Sequence, residues 1–351
     1  MHEHFMLASM HSQEHNQNME TLATAQRAAI LRCLIEGNSI LSTSRITGAA
    51  KNTIVKLLAD VGDACSSYMH ERLVNLPCAV LQLDEIWSFV GCKEANKLGA
   101  INEHQGDIWT WTALCAETKL IPSWRIGDRS GNTAFAFCAD LSTRFNGRVQ
   151  ITTDGHAAYQ WAVGANFGDA DYARLVKIYG KDEKGFDAVI GARKEAVFGN
   201  PDMDLVSTSY VERSNLTIRM GNRRFTRLTN AFSKKVENHC HMFALTIMNY
   251  NFCRKHTSIK KTPAQAAGVC AHQWTLEEVV SMMDAYLAKR EAERFEQAFT
   301  RLKFQAPRRS PKSYTPTPKA DRLTPWYLDP ESGGPEPETR KLGIAYRTDL
   351  P

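Results

Sequence analysis

Three carboxylates beside a basic helix suggest a metal site that works on a polyanion. Glu212 is the one acid in the stretch 207–227, and five arginines follow it: Arg213, Arg219, Arg223, Arg224 and Arg227. Taken alone, Glu212 reads equally well as the first-turn acid of a solvated basic helix, where a carboxylate meets the positive end of the helix dipole. Asp84 and Asp154 shift that balance. Each sits on a strand-like run, and neither has an evident ion-pair partner nearby in sequence. Three oxygen-only ligands suit a hard cation, Mg²⁺ with Mn²⁺ as the alternative. Two such ions can activate an attacking oxygen and stabilise a leaving one, which is what phosphodiester chemistry requires. Arg219 lies seven residues after Glu212, which returns it to nearly the same helix face two turns on. There it can hold a phosphate beside the metals, while Arg213, Arg223, Arg224 and Arg227 fit a wider track along a DNA backbone.

The elements that position these acids follow from periodicity. Residues 78–90 read as a strand with Leu81, Leu83, Trp87 and Phe89 on one face and Gln82 and Asp84 on the other. Glu85 then falls among apolar neighbours, as a supporting residue that a bulge would exchange with Asp84. Polar residues 93–105 form a hairpin loop, and 107–117 and 120–127 complete an antiparallel meander. A helix over 133–145 follows, with Phe135 and Phe137 as core residues. Residues 148–155 form the next strand, with Gln150, Thr152 and Asp154 on one face and Gly155 making the turn into a helix from His156. An acid followed by Gly at the end of a strand is where α/β sheets place ligand groups, although Asp-Gly is also a common turn. Residues 172–179 read as a strand, and 166–206 as an insertion or β-hairpin arm before the Glu212 helix. Glu195, Glu237 and Asp204 are weaker candidates for the third acid. This order, three strands, helix, strand, helix, arm and helix, is that of an RNase H-like sheet. Such a sheet sets its first and fourth strands side by side, so that Asp84 and Asp154 converge.

Ahead of that α/β core, residues 24–75 read as an all-α helix-turn-helix unit. Ile30, Leu31, Leu34 and Ile35 recur at helical spacing, a Gly37-Asn38-Ser39 break follows, and Gly48 makes a tight turn before a polar helix start. Lys51, Asn52, Thr53 and Lys56 are the side chains such a helix would present to base edges. A helical hairpin without a ligand shares this pattern. The core is expected over 78–270, with its last long helix from Val236 apolar almost all round. A further amphipathic helix spans 275–305, with Phe295 on its apolar stripe, and packs on the core or on a second chain. A leader, 1–23, reads as flexible, and nine of the thirteen prolines fall within 306–351, a composition that favours a disordered tail.

Composition narrows the class. Lys plus Arg is 43 against 38 Asp plus Glu, a net charge of +5, so any argument for a polyanionic partner rests on where the charge sits. The nine cysteines include no C-x-x-C pair, which excludes a zinc ribbon and reads as reduced thiols of a cytoplasmic protein. No apolar run approaches the about 18 residues of a membrane span.

Asp84 in Leu-Asp-Glu-Ile-Trp, Asp154 in Thr-Asp-Gly-His-Ala-Ala-Tyr and Glu212 in Tyr-Val-Glu-Arg-Ser-Asn-Leu-Thr-Ile-Arg resemble the three motifs of a DDE-type insertion-sequence transposase. The insertion-sequence-one family is the nearest in pattern, over roughly residues 25–270. The resemblance implies Mg²⁺-dependent strand cleavage at transposon ends, followed by attack of the freed 3′-hydroxyl on target DNA. It implies terminal inverted repeats and target duplex as partners, action as a homodimer or larger assembly on DNA, and a nucleoid-associated protein. Some relatives carry an N-terminal Cys-rich zinc motif that this sequence lacks, which would leave end recognition to the helix-turn-helix unit. Two other readings use the same residues: a catalytically inactive DNA-binding regulator, and an RNase H-type nuclease that cuts without joining.

Overall fold

The structure, a computed structural model, describes residues 22–97, 105–181, 186–228 and 230–303. The tail, almost all of the leader and most of the polar loop at 93–105 lie outside the described residues.

Three helices come first: α1 (Thr24–Ile35), α2 (Ile40–Thr47) and α3 (Lys51–Arg72). Ser39 caps α2 by accepting from the Ser42 amide at 3.0 Å, and Gly48 ends it with φ +73°, in the left-handed region where glycine carries no Cβ penalty. The helix that starts at Lys51 runs on to Arg72. The reason is packing: Leu57, Leu58, Val61, Ala64, Cys65 and Met69 continue its apolar stripe, all of them buried. They join a core shared with α7 (Val236–Met248) and α9 (Leu276–Lys303) and with Ile86 and Val90 of the sheet. The expected boundary near 75 is therefore no break in the core. Gly62 sets the closeness of the α3–α7 contact, because a Cβ there would stand 2.5 Å from the His241 backbone.

The sheet has six strands in the order β3-β2-β1-β4-β5-β6. They are β1 (Val80–Val90), β2 (Gly106–Cys115), β3 (Trp124–Gly127), β4 (Gln150–Thr153), β5 (Asp171–Lys181) and β6 (Asp187–Phe198). The first three form an antiparallel meander, and β4 pairs parallel to both β1 and β5. This mixed sheet with flanking helices is compatible with an RNase H-like core. The 166–206 segment is more than an arm, since β5 and β6 extend the sheet itself.

Both faces of β1 are covered, which corrects the expected polar face. Leu81 and Leu83 pack beneath α4 (Gly131–Ser142) and α5 (Ala157–Asn166), with Phe137, Ile151 and Tyr159. On the other side Ile86 and Val90 lie under α6 (Ser209–Gly221) and α7, with Val211, Ile218 and Phe243. Gln82 and Asp84 belong to this second face, so they sit under a helix. A short helix, α8 (Pro263–Ala266), is closed by a Thr262–Gln265 capping box. Helix α9 packs Leu276, Val279, Val280 and Met283 into the core and ties back through Arg27 to Asp284, at 2.5 and 2.8 Å. Phe295, expected on that stripe, is 75% exposed, so the buried stripe does not extend to it.

Arg144 locks the end of α3 to α4. Fully buried after α4, it donates to Asp140, to the His70 ring and to the carbonyls of His70 and Leu73. Arg144→Met is expected to destabilise the fold by about 3–5 kcal/mol, because it leaves the Asp140 carboxylate buried without its cation. Urea unfolding monitored by circular dichroism measures this, and a loss below about 1 kcal/mol would mean that Arg144 is not the clamp.

Candidate active site

Parallel pairing of β1 with β4 runs from Val80↔Gln150 to Gln82↔Thr152. Asp84 and Asp154 therefore stand two residues past the last pair, on neighbouring strands. Asp154 turns the chain by accepting from the His156 amide at 2.9 Å, and α5 starts at the next residue. Carboxylate oxygens of Asp84, Asp154 and Glu85 all lie within 4.8 Å of one another. Glu85, expected as a supporting residue, is thus a full member of the cluster.

The cluster is under electrostatic strain. Burial first, and then the Asp154 charge, push Asp84 up to about 6, against the opposing hydrogen bond from Asn215. Burial, Asp154 and Asp84 push Glu85 up to about 8, with Arg129 at 3.4 Å giving partial relief. Glu85 Oε1 is sealed from solvent, with the fully buried Tyr159 hydroxyl as its polar neighbour. Three crowded carboxylates are short of positive charge, and an oxygen-only set fits a hard divalent cation.

Helix α6 lies over this cluster because a strand residue caps it. Gln82 Oε1 accepts from the amides of Tyr210 and Val211 at 2.9 and 3.0 Å, satisfying two donors at the helix start. Three residues after Glu212, Asn215 is buried and donates to Asp84 Oδ2 at 2.7 Å. Asn215→Ala is expected to lower any metal-dependent activity about 10–100-fold, the usual cost of losing a group that orients a ligand. Comparing metal affinity and rate with wild type checks this, and unchanged values would remove Asn215 from the site.

Glu212 falls in the first turn of α6, as expected. It stands outside the close cluster, held by Lys177 Nζ at 2.8 Å and by the Thr208 hydroxyl at 2.7 Å. Burial works to raise its pKa, but these two hydrogen bonds outweigh burial and the net shift is downward. It is near enough to Asp84 to contribute to the upward shift there. Of the alternative acids, Glu195 is clasped by Arg174 and Arg193 across the β5–β6 hairpin.

The arginines divide into two groups. Arg219 donates to the carbonyls of Trp87 and Phe225, at 3.2 and 2.9 Å, so its charge is anchored beside the far half of β1. Arg224 does not fit the expected backbone track. Its guanidinium donates to Ser233 Oγ and to the Asn238 carbonyl, and burial pulls its pKa down to about 10. It braces the turn after α6 because His239 and Ser233 form a polar pocket inside the core there. Arg213, Arg223 and Arg227 are exposed. At the start of α3, Lys51, Asn52, Thr53 and Lys56 are also exposed, with Lys56 paired to Asp60 at 2.6 Å.

Sequence reasoning missed Gln82, Lys177 and Asn215. Gln82 and Asn215 had a signal, since Gln82 shares a strand face with Asp84 and Asn215 a helix face with Glu212 and Arg219. Lys177 comes from a strand 35 residues earlier, a juxtaposition that only the tertiary fold creates. No helix among the described residues is long and apolar enough to cross a membrane. No protein-family model matches the chain, and no curated protein matches it.

Proposed function

We propose that this chain is a DNA transposase of the DDE type, which cuts phosphodiester bonds at the ends of a mobile element and joins the freed 3′-hydroxyl to target DNA. The observation that carries this reading is the meeting of Asp84, Glu85 and Asp154 oxygens within 4.8 Å, just past the point where the parallel pairing of β1 with β4 stops. The upward shifts at Asp84 and Glu85 support it, because carboxyls held well above their usual range cluster at functional sites.

Asp84 and Asp154 would hold divalent metal, Mg²⁺ or Mn²⁺ and two ions by the chemistry, with Glu85 and Glu212 as the further oxygen donors at hand. When bound, the metal supplies charge neutralisation and an activated attacking oxygen. Asn215 keeps the Asp84 carboxylate turned toward the cluster. Lys177 holds Glu212 beside the site as an ion pair. Arg219 keeps a fixed positive charge close to Asp84. Phosphoryl transfer depends on positioning and electrostatics more than on a covalent nucleophile, and these residues supply positioning. Exposed Arg213, Arg223 and Arg227 would follow the DNA backbone. Lys51, Asn52, Thr53 and Lys56 would meet base edges in the terminal repeats. Two ends must be brought together, so a homodimer on DNA is the working form.

The test is a labelled linear duplex carrying the element's own end, incubated with the protein, Mg²⁺ and a plasmid. Nicking at the end followed by covalent joining to the plasmid supports transposition. Nicking without joining would reassign the chain as a nuclease. Binding without nicking under either Mg²⁺ or Mn²⁺ would reassign it as a regulator.

A further inference from the structure

Helix α6 has two working flanks. Glu212, Asn215 and Arg219 share one, while Tyr210, Arg213, Ser214 and Thr217 recur at helical spacing on the opposite one. That second flank lines a cavity of about 320 Å³, closed by the turn between β2 and β3 and by residues 254–258. Lys119, Arg254, Lys255 and His256 reach it from those two segments, and no carboxylate lines it. Among the described residues, Arg213, Arg254 and Lys255 form no ion pair.

The cavity is assembled with care for its cations. Lys119 takes a left-handed backbone, φ +61°, and its ammonium lies 3.1 Å from the centre of the Tyr210 ring. The Tyr250 hydroxyl donates to the Lys119 carbonyl at 3.0 Å, fixing the turn. Ser214, 5% exposed, lines the cavity with its Oγ beside the Tyr250 hydroxyl. His256 is held below its ordinary pKa by burial and then by the charges of Lys119 and Arg254. Arg213, Arg254 and Lys255 facing one cavity with no carboxylate in its lining, and a serine hydroxyl in its wall, are groups that bind an anion by charge-assisted hydrogen bonds.

We propose that this cavity is a phosphate subsite for a DNA backbone, with Arg213, Arg254, Lys255 and Lys119 supplying charge and Ser214 Oγ a hydrogen bond. The identity of the ligand rests on the DNA-processing reading above. The cavity and the acid cluster lie on opposite flanks of one helix, on the order of 10 Å apart. A strand whose bond lies at the acids would therefore seat a phosphate a few nucleotides away in this subsite and fix the register of the cut.

Duplex binding by the full chain in chelator separates this subsite from catalysis. Arg254→Ala/Lys255→Ala is expected to weaken binding roughly tenfold and to lower the slope of log affinity against log salt by about one to two. Arg294→Ala, on the exposed end of α9, serves as the control. An unchanged affinity and slope in the double variant would overturn the subsite even if the wild type cuts DNA normally. A second readout does not depend on DNA: the His256 ring titrated by NMR with millimolar inorganic phosphate. Its pKa should rise by about half a unit or more in wild type and not in the double variant, because a bound anion favours the imidazolium. No rise in wild type would sink the anion site, whereas a rise in a protein that neither binds nor cuts DNA would keep the site and discard the DNA reading.

Discussion

Asp154→Asn is expected to lower Mg²⁺-dependent strand cleavage by about 10³-fold or more, the size of losing about 4 kcal/mol of transition-state stabilisation. The substitution is well placed because the fold should not notice it. Asp154 turns the chain by accepting the His156 amide through Oδ1, and an asparagine carbonyl can make the same bond. What changes is charge. Asp154 is a leading cause, after burial, of the upward shifts at both Asp84 and Glu85. Its removal relieves that repulsion, so the variant in chelator should be at least as stable as wild type and bind DNA at least as tightly. Thermal melting, duplex binding and a cleavage time course measure the three quantities. A variant that cuts at more than a tenth of the wild-type rate would remove Asp154 from the chemistry. A variant that merely unfolds would show that the residue is structural.

The second large effect is a dependence of stability on pH that divalent metal reverses. In the folded chain Asp84 titrates at about 6 and Glu85 at about 8. Unfolded, both titrate near 4. A group that holds its proton more tightly in the folded state stabilises the fold fully below the unfolded value, and that stabilisation is lost as pH rises through the folded value. Metal-free protein should therefore lose stability between about pH 4 and 8, with Asp84 alone accounting for about 3 kcal/mol. His239 acts in the opposite sense. Burial and Arg224 hold it down to about 3, so it destabilises the fold as pH falls below the unfolded histidine value. The comparison that isolates the acids is therefore wild type against Asp84→Asn/Glu85→Gln, both in chelator. The double variant should gain stability over wild type as pH rises from 5 to 8. Added Mg²⁺ should raise the melting temperature of wild type more at pH 8 than at pH 5, and should leave the double variant unmoved. A wild-type profile parallel to that of the variant would mean that the acids are not under strain.

Much of the framework was legible before any coordinates. Strand order along the chain, the strand positions of Asp84 and Asp154, the first-turn position of Glu212 and the buried helix from Val236 all follow from local periodicity, and local periodicity survives folding. Less legible was anything that depends on what covers a surface. The alternation in β1 implied a polar face, yet Gln82 and Asp84 lie under α6, where Gln82 caps that helix. Arg224 looked like one more cation in a basic run, but it is spent on Ser233 and Asn238. The 24–75 helices looked like a separate unit, yet α3 continues into the common core.

The sequence by itself determined which residues have the chemistry to hold a hard metal and which helix carries the positive charge, because residue type and period are local properties. The tertiary structure alone decided which acids share space and which cations are already committed. Glu85 joins Asp84 and Asp154 because β4 pairs in parallel with the start of β1, and Asp84 and Asp154 each follow the last pair by two residues. Glu212 stays with Lys177 because β5 runs beside the start of α6. Distances between side chains far apart in sequence depend on packing, and packing is settled only when the whole core closes.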